Sequence, residues 1–131
     1  MPPFHFHLQP LLDRRRQVEN GKRLRCAVAR RDRDEAVRAC EHLVSALARH
    51  AVRRGDAGTL AVLDAGIEAR QRRARNAEAA LEAAHEELIA AGRERRALEK
   101  VCERRRRAYE EEEARRDEHE IDEANARRLA R

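Results

Sequence analysis

Tryptophan is absent from this chain, and aromatics come to one tyrosine and two phenylalanines in 131 residues. So few large side chains cannot fill a thick globular core. Proline is confined to Pro2, Pro3 and Pro10, which leaves the following 121 residues free of the strongest obstacle to long helices. No apolar run approaches the roughly 20 residues that cross a bilayer. The start, M-P-P-F-H-F-H-L, lacks the basic and apolar regions of a signal peptide, so the expectation is a soluble cytoplasmic protein. Cys26, Cys40 and Cys102 form no C-x-x-C, which argues against a zinc knuckle or a disulfide framework. They read instead as small buried apolar residues.

Charge is abundant. Asp, Glu, Lys and Arg make up 42% of the chain, which together with much alanine is the composition of long helices and coiled coils. The net charge of +5 is unevenly spread: residues 1–54 hold 13 Arg or Lys against 6 Asp or Glu, and residues 55–131 hold 17 against 19.

The length fits a single coiled-coil domain over residues 1–131. The pattern predicts an all-α antiparallel two-helix hairpin: a first helix over about 7–54, a turn at 55–59, and a second helix over about 57–129. At 1.5 Å per residue the helices are roughly 70 and 110 Å long. Pro10 suits a first helical turn. Gly55 suits a helix C-terminus, Arg53 and Arg54 complement its dipole, and Asp56 or Thr59 can cap the next helix. Leu8, Leu11 and Leu12 open an apolar face that Val18, Leu24 and Val28 continue loosely. It lapses over R-R-D-R-D-E at 30–35 and resumes at Val37, Cys40, Val44, Leu47 and Ala51.

The second helix keeps one register. Steps of three and four from Leu60 pass through Leu63, Ile67, Arg70, Ala74, Ala77, Leu81, Ala84, Leu88, Ala91, Arg95, Leu98, Cys102 and Arg105 to Tyr109. That period of 3.5 specifies a left-handed coiled coil. Folding about the turn pairs residues whose numbers sum to about 113, which gathers Phe4, Phe6 and Tyr109 at the end far from the turn. Beyond Tyr109 the first helix has run out. The remaining overhang of roughly 30 Å carries the i, i+4 pairs Glu111–Arg115, Glu112–Arg116 and Glu123–Arg127. Its large apolar residues are Ile121 and Leu129, a pattern another protein could complete.

Signs of chemistry are few. His5 and His7 form an H-x-H pair without a third or fourth ligand nearby, and the plainer reading is an exposed strip. His85 and His119 read as solvated. No catalytic triad, phosphate loop or paired carboxylates in a pocket stands out, and a two-helix rod offers little concavity. The reading is a protein that is not an enzyme and uses no cofactor or metal. Arg14–Arg16 and Arg104–Arg107 could contact phosphates, but Glu110–Glu113 follow directly and no aromatic stacking platform accompanies them. A basic coiled-coil nucleic-acid binder is therefore the alternative, behind a basic collar that meets an acidic protein surface.

Two terminal segments resemble the FliJ family, the small coiled-coil proteins of the flagellar type III export apparatus. They are Phe4-x-Phe6-x-Leu8-x-x-Leu11-Leu12, and Leu98-Glu99-Lys100 … Glu103-Arg104-Arg105 … Glu113-x-x-Arg116-x-Glu118-x-x-x-Asp122-Glu123. Helix layout is similar nearly end to end, while residue-level likeness is limited to these segments. Val101, Cys102 and His119 depart from the family pattern. The resemblance implies an antiparallel coiled coil similar to the central stalk of rotary ATPases, with paired termini inserted into the hexameric export ATPase, FliI. It further implies contact with the export gate protein FlhA and with export chaperones, peripheral to the inner membrane and without a transmembrane segment. The matching positions are Phe4, Phe6, Leu8, Leu11, Leu12, Leu98, Glu99, Lys100, Glu103, Arg104, Arg116, Asp122 and Glu123. The reading of the residues adds Tyr109 and Ile121 as partner contacts. The equivalent stalk of an injectisome fits the same pattern.

Overall fold

The structure, a computed structural model, describes residues 2–53 and 57–131. Two helices, α1 (Gln9–Arg53) and α2 (Ala57–Leu129), pack against each other as an all-α hairpin, with no strand among the described residues. Both boundaries lie within two residues of those predicted. The amide of Gln9 donates to the Phe6 carbonyl and that of Leu12 to the Leu8 carbonyl, so Pro10 sits in the first turn, where its missing N–H costs nothing. Thr59 lies inside α2 and is not its cap. The expected roles of Arg54, Gly55 and Asp56 lie outside the described residues.

Contacts group the chain into two units, residues 18–92 and residues 1–17 with 93–131. In the first, α2 buries the register its sequence predicts: Ile67, Leu81 and Ala91 are buried, and Leu60, Leu63, Ala74, Ala77, Ala84 and Leu88 half-buried. Arg70 is exposed, its stem on the helix and its guanidinium bonded to the Gly66 carbonyl.

The α1 side differs from the prediction. Leu24 is 69% and Val28 59% exposed, and Val37, Val44 and Ala51 also face out. Val18, Cys40 and Leu47 are half-buried as predicted, but Cys40 and Leu47 share their face with Glu19, Lys22, Cys26, Ala29, Arg33, Ala36, Leu43 and His50, all buried or half-buried in steps of three and four. Small residues let α1 approach closely: a methyl on Gly66 would come within 3.0 Å of Leu43 Cδ2. The charged members reach across it, Lys22 to Glu87 at 2.9 Å and Arg33 to Glu78 at 3.3 Å. The charged run at 30–35 thus stays docked through Arg33. These pairs follow the expected antiparallel register to within about one turn.

Two charged groups here titrate away from their ordinary values. Glu87 is lowered, first by the hydrogen bond from Lys22 and then by its charge. Arg33 is raised, chiefly by its hydrogen bonds to Glu78 and Asp34.

Candidate partner-docking end

The second unit holds every residue singled out from the terminal segments. Here residues 2–8 run along α2 as a non-helical strap. Phe6 and Leu12 are buried, at 5% and 2% exposure. Phe4 packs on Tyr109 with ring centroids 5.6 Å apart and planes tilted by 51°. The Tyr109 hydroxyl donates to the Pro2 carbonyl, tying the strap to α2. Arg105 lies over Phe6 and Arg106 over Phe4, each guanidinium 5.7 Å from the ring centroid. Arg105 Nη1 also comes within 2.8 Å of His7 Nδ1, so a neutral His7 can accept from it. All three aromatics meet in this unit, as the pairing rule requires. Both His5 and His7 are exposed, and His7 is tied to Arg105.

Ion pairs flank this packing. Arg15 meets Glu94 at 2.5 Å and Arg16 meets Glu99 at 3.5 Å across the helices. Arg95 donates to Glu99 at 2.7 Å, and that bond is the main reason the Glu99 carboxyl is held below its ordinary value, with Arg16 adding to it.

The singled-out residues therefore fall into three environments. Phe4, Phe6, Leu8, Leu12, Leu98 and Tyr109 are buried or half-buried in the chain's own packing, and Glu99 is tied into its ion pairs. Leu11, 43% exposed, lines an open groove with Arg15, Glu94, Ala97, Leu98 and Val101. Lys100, Glu103 and Arg104 line a second with Arg107, on the outward face of α2.

Arg116, Ile121, Asp122 and Glu123 occupy the C-terminal extension. Burial continues one turn past Tyr109, to Glu113, which is 9% exposed and accepts from Arg116 at 3.2 Å. From residue 114 onward every position is exposed, yet α2 continues to Leu129. Of the three expected i, i+4 pairs, Glu112–Arg116 and Glu123–Arg127 form, at 2.7 and 3.5 Å, while Glu111 makes no ion pair with Arg115. His119 sits 3.5 Å from Glu123, exposed. Ile121 is 59% and Leu129 88% exposed.

His85, read from sequence as solvated, is half-buried. Its Nδ1 lies 3.4 Å from the buried thiol of Cys26 in the 18–92 unit. The pairing rule sets the two at nearly the same height, but whether they face each other depends on the phase of α1. All three cysteines are free, Cys26 buried and Cys40 and Cys102 half-buried. Among the described residues, no group of three or more His, Cys, Asp or Glu side chains is placed to hold a metal ion. No helix of the described residues is long and apolar enough to cross a membrane.

No family model, curated protein or solved structure matches the chain.

Proposed function

We propose that this chain is a non-catalytic stalk and coupling subunit of a flagellar type III export apparatus. In this reading its paired termini enter the ring of the hexameric export ATPase, and the chain links that ATPase to the export gate and to export chaperones. It works in the cytoplasm, peripheral to the membrane-embedded machinery. The observation that carries the reading is the C-terminal extension. Residues 114–131 are exposed, and α2 runs on through them to Leu129 beside a strapped, aromatic-capped terminal pair, with Ile121 and Leu129 left for a partner to cover. The terminal motifs that resemble the FliJ family fall in this same unit.

The roles divide accordingly. Phe4, Phe6, Leu12 and Tyr109 hold the terminal pair together, so that its outer surface can be presented as one piece. Leu11, Lys100, Glu103, Arg104, Ile121 and Asp122 are the exposed groups through which the ATPase would be met. The test is capture of the cognate hexameric ATPase and stimulation of its hydrolysis, with deletion of Glu110–Arg131 as the comparison. Loss of both on deletion is expected. Full stimulation by the shortened chain refutes docking through the extension.

The equivalent stalk of an injectisome is the same reading in a different machine, and capture by one cognate ATPase but not the other separates them. The exposed cations on the outward face of α2 favour a second reading, binding of a nucleic acid. That reading requires affinity for duplex or single strands that falls steeply with salt.

A further inference from the structure

The outward face of α2 changes sign once along its length. At 3.6 residues per turn, Arg93, Arg96, Lys100, Arg104 and Arg107 lie within about 40° of one line, and Glu111, Glu118 and Asp122 continue that line. All eight are exposed. The wider segments agree: residues 93–107 hold eight Arg or Lys against three Glu, and residues 110–123 hold nine Asp or Glu against two Arg.

Within one chain these two blocks cannot neutralise each other. They follow one another along a single helix, and only residues three or four apart meet on its surface. Even at the junction, Arg107 turns back to Glu103 at 3.2 Å and not forward to Glu111. Arg93, Arg96, Lys100, Arg104, Glu111, Glu118 and Asp122 make no ion pair among the described residues. The strap and the start of α1 occupy the other side of the helix, against Tyr109 and its neighbours.

We propose that, in the chain free of the ATPase, this face is a self-association surface whose occupant is the same face of a second copy laid antiparallel, so that the second copy and the ATPase compete for Lys100, Arg104 and Asp122. A two-fold axis near residues 108 and 109 sets Arg107 opposite Glu111, Lys100 opposite Glu118 and Arg96 opposite Asp122, each pair made twice. An isologous contact must be self-complementary, and a face with one change of sign at its centre meets that condition in the antiparallel direction only. A parallel pairing would place like charges opposite one another. The attraction is between solvent-exposed charges, so it is strong at low ionic strength and screened at high.

The experiment is sedimentation equilibrium of the full chain at about 0.02 M and about 0.5 M salt. A dimer at low salt is expected, with a dissociation constant at least about tenfold weaker at high salt. Two triple variants decide the geometry: Arg96→Glu, Lys100→Glu, Arg107→Glu in one, and Glu111→Lys, Glu118→Lys, Asp122→Lys in the other. Each alone should be monomeric at low salt with undiminished helical circular dichroism, and an equimolar mixture should form the dimer. A monomeric wild-type chain at low salt overturns the proposal, as does a dimer that survives reversal of one block. So does a chain that binds a duplex oligonucleotide through Lys100 and Arg104 while remaining monomeric at low salt.

Discussion

The Cys26 thiol and the His85 ring meet at 3.4 Å inside the helix pair, 59 residues apart in sequence. Cys26 is buried at 5% exposure, and the imidazole is a polar partner within reach of its thiol. Which of the two donates depends on the imidazole tautomer. His85→Ala should cost about 1 kcal/mol by removing this partner from a buried group. His119→Ala, on the exposed extension, should change stability by less than about 0.5 kcal/mol. Chemical denaturation of both variants gives the comparison, and equal effects would place His85 in solvent.

The phase of α1 is tested by a pair of truncations. Leu81→Ala removes a side chain only 5% exposed and should cost about 2–5 kcal/mol. Leu24→Ala removes one that is 69% exposed and should cost less than about 0.5 kcal/mol. Thermal melting distinguishes this from the register that a purely apolar reading of α1 would choose, in which Leu24 packs and its loss is felt.

Acid should loosen the hairpin. Hydrogen bonds from Lys22 and Arg95 hold Glu87 and Glu99 below the ordinary carboxylate range in the folded chain. A carboxyl lowered on folding adds stability above its unfolded value, and that stability is lost as pH falls through the folded one. Stability should therefore be flat near neutrality and decline below about pH 4.5. In a Glu87→Gln, Glu99→Gln double variant the acid decline should be shallower, as read by urea midpoints at each pH. An unchanged slope would mean that these pairs do not persist in solution.

Gly21 is a helical glycine with nothing within 4 Å of where a methyl would stand, whereas the same methyl at Gly66 meets Leu43 at 3.0 Å. Gly21→Ala should stabilise the chain by roughly 0.5–1 kcal/mol through helix propensity alone. Gly66→Ala gains the same propensity but must displace Leu43, so its melting temperature should rise less or fall. A larger rise at Gly66 than at Gly21 would contradict the close approach of the helices there.

The helices and the seam of α2 were legible in the sequence. A long Pro-free tract of good helix formers has one low-energy local conformation, and the α2 seam repeats at 3.5 residues through Leu60, Ile67, Leu81 and Leu98 with few interruptions. That pattern has one best phase whatever lies opposite. The phase of α1 was legible only in part, at Cys40 and Leu47. Its large apolar residues Leu24, Val28, Val37 and Val44 lie off the seam, while Glu19, Lys22 and Arg33 lie on it. Only the helix across from them, with Glu78 and Glu87 at the right heights and small residues that permit close approach, makes that phase the favourable one. The same holds for the Cys26–His85 contact and for the extent of the free extension, which begins one turn later than Tyr109. Local pattern determines which residues form helix and which face of α2 is apolar. Where polar and apolar positions are mixed along a helix, as in α1, its buried face is settled by the complementarity of the partner surface, which exists only once the chain has folded.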